Sequence, residues 1–212
     1  QREEIEVEST DGCVLTTWPR FDHAASNRPV VIVVPGNAGN RAGRVPLGNA
    51  LANPGVGVGL AEYRGYGGNP GSPTEGGLVD DALAVINAVL SEFPSSGGLV
   101  YFGESLGAAV AIAAAEQSRP DALVLGSPFT SLAEVGRHHY PWLPVAALLR
   151  DEYPSLERIR DGELAGIPAL VIGGTGDGTV PIEQSLRIAA ALNAALYEVD
   201  GADHNDAAIR SA

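Results

Sequence analysis

The chain reads as an α/β protein, a mostly parallel sheet with helices on both faces, and three observations predict this. Two short strands come first, followed by an alternation of apolar strands with helical stretches, the order that builds parallel sheets. Val30–Val34 is an unbroken β-branched run, as a strand buried on both faces requires. Leu99-Val100-Tyr101-Phe102 leads through Gly103-Glu104-Ser105-Leu106-Gly107 into an alanine-rich stretch, a strand–turn–helix unit. At 212 residues and 45% hydrophobic content the chain can bury one substantial core. No internal repeat or low-complexity linker divides it, so residues 1–212 are expected to form a single domain.

Residues 3–9 alternate polar and apolar side chains, and residues 14–19 follow a Thr10-Asp11-Gly12 turn. They are expected to form an antiparallel hairpin at the sheet edge. Cys13, just before the second of these strands, is expected to be a small core residue. Further strands are predicted at 30–34, 56–62, 99–102, 122–126, 169–173 and 195–199. A helix is predicted from Ser72-Pro73-Thr74-Glu75, with Ser72 as cap, Pro73 in the first turn and Glu75 closing a capping box. Leu78, Ala82, Val85, Ile86, Val89 and Leu90 give it one apolar stripe, and Pro94 with Gly97-Gly98 ends it. The helix after Ser105 is expected to run from Leu106 to about Gln117. Residues 131–158, with His138-His139-Tyr140-Pro141-Trp142, break the rhythm. They are expected to be short helices over the active-site end of the sheet, a minimal lid.

Charge and composition exclude several classes. The net charge of −13 argues against nucleic acid as a partner, because phosphate binding needs a basic surface. All 13 cations are arginine, a compositional bias that says little about chemistry. The single cysteine allows no internal disulfide, and no Cys/His cluster has metal-ligand spacing, so no metal site is expected. No apolar run approaches the roughly 18 residues that span a bilayer. The chain opens Gln1-Arg2-Glu3 without a methionine. Membrane association is therefore expected only through a segment preceding Gln1. Cytoplasmic residence is the default expectation, with anchoring or export as alternatives; oligomeric state is left open.

Gly-x-Ser-x-Gly between strand and helix places Ser105 on a sharp turn, with the positive helix N-terminus behind it. A serine nucleophile needs a base and a carboxylate that orients the base. Of four histidines, His23 lies in an early polar loop and His138 and His139 in the excursion. His204 follows the last strand, where reacting groups of an open α/β sheet converge, and is the candidate base. Asp177 follows the penultimate strand and is the candidate acid. Asp203 competes with it but sits beside His204, where a turn role fits better. The oxyanion-hole donors are expected to be the backbone N–H of Leu106 and Asn37. The Gly/Asn-rich loop holding Asn37 lacks the lysine and the spacing of a phosphate cradle.

With these residues placed, the chain resembles the α/β-hydrolase superfamily. Within it, the chain resembles the small serine hydrolases of the BEM type, relatives of the ABHD-type lipid and thioester hydrolases. The resemblance rests on Thr10-Asp11-Gly12, Pro35-Gly36-Asn37-Ala38-Gly39-Asn40-Arg41, Tyr63-Arg64-Gly65-Tyr66-Gly67 and Gly103 to Gly107. It continues through Ser127-Pro128-Phe129-Thr130-Ser131, Gly176-Asp177 with Val180-Pro181, and Gly201 to Asp206. It implies an α/β-hydrolase fold with an eight-stranded sheet, a triad of Ser105, Asp177 and His204, and ester or thioester hydrolysis without a cofactor. Two departures stand out: Pro35 replaces the histidine that usually opens the oxyanion loop, and the sequence ends at Ala212, eight residues after His204, where such folds normally add a closing helix. Either that helix is absent or the segment is disordered, and if it is absent one sheet face is expected to be poorly covered.

The leading expectation is a serine esterase acting on short to medium acyl esters, with a small-molecule ester as partner and Tyr66, Tyr140 and Trp142 in the substrate pocket. The alternatives are membrane-associated thioester or lipid hydrolysis of the depalmitoylase kind, peptidase activity, or a hydrolase fold kept as a non-catalytic binding module.

Overall fold

In the computed structural model, residues 4–20, 28–38, 40–52, 56–92, 97–206 and 209 are described. The chain begins with two strands, β1 (Ile5–Glu8) and β2 (Val14–Arg20), paired antiparallel around the Thr10-Asp11-Gly12 turn. The turn closes through Gly12 N–H to Ser9 O at 2.9 Å, with Asp11 Oδ1 accepting from Cys13 N–H at 3.2 Å. Cys13 itself is half-buried.

Then follow β3 (Val30–Val34), a single 3₁₀ turn (Arg41–Arg44), α1 (Val45–Ala52), β4 (Gly57–Leu60), α2 (Glu75–Glu92), β5 (Leu99–Glu104) and α3 (Leu106–Gln117). The second half contains β6 (Ala122–Gly126), α4 (Leu132–His139), α5 (Val145–Leu148), α6 (Ser155–Arg160), β7 (Ala169–Gly174), α7 (Ile182–Leu192) and β8 (Ala195–Val199). The eight strands lie in the order β1-β2-β4-β3-β5-β6-β7-β8, and every pairing from β4 through to β8 is parallel. The hairpin therefore sits at one edge, as the sequence predicts, with β2 antiparallel to β4.

All five residues of β3 are buried, and they serve two layers. Val30, Ile32 and Val34 face the larger core, shared with Val85 and Ile86 of α2, Val110 and Ile112 of α3, Ile159 of α6 and Ile188 of α7. Val31 and Val33 face the other side, against Leu47 of α1, Leu60 and Phe102. Helices thus cover both faces. On the α1 face, Val100, Val124 and Leu170 remain half-buried. Beyond Asp206 only Ile209 is described, and it packs on Ile172 and Ala202. The expectation of an absent closing helix falls outside the described residues, as do Pro94 and His23.

Helix α2 starts later than its sequence suggests. Thr74, not Ser72, is the cap, its Oγ1 accepting from Gly77 N–H at 3.1 Å. Glu75 closes no capping box. Its own N–H goes to Asp151 Oδ1 at 2.8 Å, while its carboxylate accepts from the N–H groups of Glu152 and Tyr153 at 2.9 Å each. Arg158 completes the tie at 3.2 Å. Tertiary partners on the 131–158 excursion outcompete the local motif, so the excursion is tied down to the N-terminus of α2.

A second tie joins edge hairpin to helix. Arg64, in the loop after β4, binds Asp81 of α2 at 2.7 Å and Asp11 of the hairpin turn at 2.5 Å. Asp81 is fully buried, and the two carboxylates hold the Arg64 pKa well above its ordinary value.

Candidate active site

Ser105 joins β5 to α3 with φ of 51° and ψ of −114°, a left-handed turn that a serine rarely adopts. The two flanking glycines make that turn possible. A Cβ on Gly103 would stand 2.5 Å from Gly107 O and 2.6 Å from Ala108 Cα, and one on Gly107 would collide with the carbonyl oxygens of Val34 and Pro35. The elbow is fixed from the sheet side by Ser105 N–H donating to Gly126 O at 2.8 Å.

The loops after β7 and β8 bring Asp177 and His204 to the elbow. Thr175 N–H donates to Val199 O at 3.1 Å and Gly176 N–H to Ala202 O at 3.1 Å, stitching the two loops together. Asp203 Oδ1 accepts from Gly178 N–H at 3.2 Å and His204 N–H at 2.7 Å, which gives Asp203 a turn role. His204 Nδ1 lies 2.7 Å from Asp177 Oδ2, and His204 Nε2 lies 2.9 Å from Ser105 Oγ. A carboxylate only accepts, so Nδ1 carries the proton and Nε2 is left to accept from the serine hydroxyl.

Burial works against the charge on Asp177. The hydrogen bonds from His204, Val180 N–H and Thr179 N–H outweigh it and hold the carboxyl below the ordinary aspartate value.

Leu106 is the first residue of α3, with its N–H at the helix's positive end. The Pro35–Ala38 loop backs onto the elbow: a Cβ on Gly36 would lie 3.1 Å from Glu104 O and 3.4 Å from Ser105 Cβ. Among the described residues, neither Leu106 N–H nor Asn37 N–H has a protein acceptor. Three clamps hold this loop. Tyr63 OH donates to Pro35 O at 3.0 Å, Tyr66 OH donates to Asn37 Oδ1 at 2.5 Å, and the two rings meet edge to face at 5.8 Å. Arg44 pairs with Glu104, the residue before the nucleophile, and donates to Ala38 O at 3.3 Å.

Ser105 and His204 open onto a cavity of about 470 Å³. Leu78, Leu106, Phe129, Leu132, Val135 and Val180 give it an apolar wall, and Arg44, Glu104, Asp151 and Ser127 add polar groups. Tyr66 lines it, as expected. Tyr140 and Trp142 do not: they are 54% and 78% exposed and meet each other edge to face at 6.5 Å. The physical reason is that α4 turns Leu132 and Val135 inward, so its C-terminal aromatics point away. His139 is held at Thr179 O at 2.9 Å, and His138 is exposed. The Arg44–Glu104 pair, Ser127 and Tyr153 were not singled out from sequence. Only the Ser127-Pro128-Phe129-Thr130-Ser131 stretch carried a signal there. Among the described residues, no group of three or more His, Cys, Asp or Glu could hold a metal ion, and no helix is long and apolar enough to cross a membrane.

Comparison with known proteins fits this geometry. The Mycobacterium tuberculosis protein Rv2307c is 49% identical over 207 residues, covering 96% of this chain and 72% of the relative. Protein bem46 of Schizosaccharomyces pombe is 30% identical over 194 residues, covering 88% of this chain and 64% of bem46. The lysophosphatidylserine lipase ABHD12 of Rattus norvegicus is 39% identical over 126 residues, 56% of this chain and 31% of that protein. Among solved structures, an esterase from Pyrococcus furiosus superposes with a TM-score of 0.79 at 18% identity, covering 98% of this chain and 84% of the esterase. Residues 25–157 match the serine aminopeptidase S33 family. This chain accordingly belongs to the serine aminopeptidase S33 family, on the α/β-hydrolase fold.

Proposed function

We propose that this hydrolase is a serine esterase that cleaves short to medium acyl esters through an acyl-enzyme. The observation that carries the reading is the unbroken line from Ser105 Oγ through His204 to Asp177, at 2.9 and 2.7 Å, opening onto a mainly apolar cavity. Ser105 Oγ attacks the ester carbonyl as its proton passes to His204 Nε2. Leu106 and Asn37 N–H groups receive the charge that develops on the carbonyl oxygen. Collapse breaks the ester C–O bond, His204 returns the proton to the departing alcohol, and Ser105 holds the acyl group. Water then attacks, gives its proton to His204, and the acid leaves as Ser105 is reprotonated. Asp177 keeps the imidazole in the required tautomer throughout.

A peptide substrate bearing a free amine would need a carboxylate open to its ammonium group. Of the three carboxylates that line this cavity, Glu104 is paired with Arg44, Asp151 accepts the first N–H of α2, and Asp206 lies beside His204 on the far loop. Glu104 and Asp151 are thus already engaged, and the apolar wall is what supports the ester reading over an aminopeptidase. The test is hydrolysis of p-nitrophenyl acetate and butyrate beside amino-acid p-nitroanilides. Wild type should turn over the esters in preference to the anilides. Ser105→Ala should lower kcat on the esters by roughly 10³-fold or more. Equal ester rates for the two proteins would overturn the reading.

A further inference from the structure

We propose that Ser127 is a specificity-setting residue whose hydroxyl binds a hydroxyl or ether oxygen of the ester near the scissile carbonyl. The proposal rests on the esterase reading of Ser105. Ser127 closes β6 and lines the same cavity. Gly126, directly before it, accepts the N–H of Ser105, and Ser127 N–H donates to Ile172 O at 2.8 Å. Its backbone is thus pinned between the strand that carries the nucleophile and the strand that leads to Asp177.

Two independent features single it out. The first is conformational. Ser127 has φ of 45°, in the left-handed region where glycine or asparagine is usual. Four described non-glycine residues share a positive φ: Ser105, Ser127, Tyr153 and Asn193. Asn193 is the C-cap of α7, a common place for it, and the other three line the cavity. Strain of this kind gathers where geometry matters to function.

The second is an unmet hydrogen bond. Ser127 is 3% exposed, and its Oγ has no partner. The other described unpartnered atoms, Arg41 Nε and Glu62 Oε1, belong to side chains bonded through other atoms, and neither residue lines the cavity. For Ser127 the unpartnered oxygen is the only polar atom of the side chain. A buried hydroxyl without a partner is unfavourable, and glycine would relax the backbone here, so the serine points to a partner that arrives with the substrate. In its present rotamer the Oγ is closed off from the cavity, so rotation about Cα–Cβ, which leaves the pinned backbone in place, is required to bring the hydroxyl to the ligand.

A site of this type favours an ester bearing an oxygen over its hydrocarbon isostere by the strength of one neutral hydrogen bond, about three- to tenfold in kcat/KM. The experiment compares two isosteric pairs by pH-stat titration. Ethyl 3-hydroxybutyrate against ethyl 3-methylbutyrate probes the acyl side, and 2-methoxyethyl butyrate against butyl butyrate probes the alcohol side. Wild type should favour the oxygen-bearing member of at least one pair, and Ser127→Ala and Ser127→Gly should both remove that preference. The glycine variant relieves the strained φ, and a melting temperature matching wild type separates its loss of selectivity from failure to fold.

The same pairs are also titrated into Ser105→Ala and Ser105→Ala/Ser127→Gly by ligand-observed NMR, which reads the contact without turnover. If wild type hydrolyses no ester, the esterase reading falls, and the NMR affinity ratios still decide the role of Ser127. Ratios unchanged by the Ser127 substitutions, or both members of a pair weakened alike, would overturn the proposal.

Discussion

Asp177 is held by three donors, His204 and the N–H groups of Thr179 and Val180, so replacing its carboxylate disturbs both base and loop. In Asp177→Asn the amide can donate to Nδ1, which favours the tautomer with Nε2 protonated, and that nitrogen can no longer take the serine proton. A fall in kcat of roughly 10³–10⁴-fold is expected, read from ester turnover. The same substitution has a stability signature. Because the folded carboxyl titrates below its ordinary value of 3.8, its contribution is complete above that pH and is lost as pH falls through the lower folded value. The gap in melting temperature between wild type and Asp177→Asn should therefore be constant near neutrality and shrink only below about pH 3.8. A gap that narrows between pH 7 and 5 would contradict this. Tyr66 acts through Asn37. Burial pushes its hydroxyl above the ordinary tyrosine value, so it remains a proton donor across the neutral range. Tyr66→Phe releases the Asn37 side chain and should lower kcat about three- to tenfold with little change in KM. A rise in KM alone would instead make Tyr66 a binding residue.

Among the elements, the tie between α2 and the edge hairpin carries the clearest prediction. Asp81 is fully buried on α2 and neutralises Arg64, which also reaches Asp11 and Ser9. Asp81→Ala leaves Arg64 buried and short of its main partner, and should cost about 3–5 kcal/mol in denaturant unfolding. Loss of under 1 kcal/mol would show that Asp11 suffices. The elements themselves were legible to different degrees. β3, β6, β8 and α3 follow the sequence pattern to the residue: β3 is an unbroken β-branched run, β6 and β8 are five-residue stretches bounded by turn residues, and α3 is alanine-rich. α1 is poorly marked, since Pro46, Gly48 and Asn49 read as loop residues. Pro46 is tolerated because it sits in the first turn, where an N–H has no intrahelical partner. The start of α2 was misplaced by local capping logic, as Glu75 is taken by backbone 77 and 78 residues away. The positions of Ser105, Asp177 and His204 could be read because each follows a strand at one sheet edge. The pocket wall could not, because which side of α4 faces inward depends on packing between distant segments.

On the scale of the whole molecule, charge is the dominant feature. With 26 acidic and 13 basic side chains, net repulsion opposes the compact state. Raising sodium chloride from about 10 mM to about 1 M shortens the screening length from about 30 Å to about 3 Å. The melting temperature should rise over that range, most steeply at its low end. A steady fall would mean that the ion pairs at Arg64, Arg44 and Arg158 outweigh the repulsion. The reach of the site along the chain has another consequence. Ser105 and His204 are 99 residues apart, and the imidazole is placed only once β8 pairs with β7. A ribosome adding about 5–20 residues per second needs roughly 5–20 s to travel from one to the other. Through that interval the imidazole that completes the line to Ser105 has not yet been made. The order of synthesis therefore puts assembly of the Ser105–His204–Asp177 line last, after the eighth strand has paired.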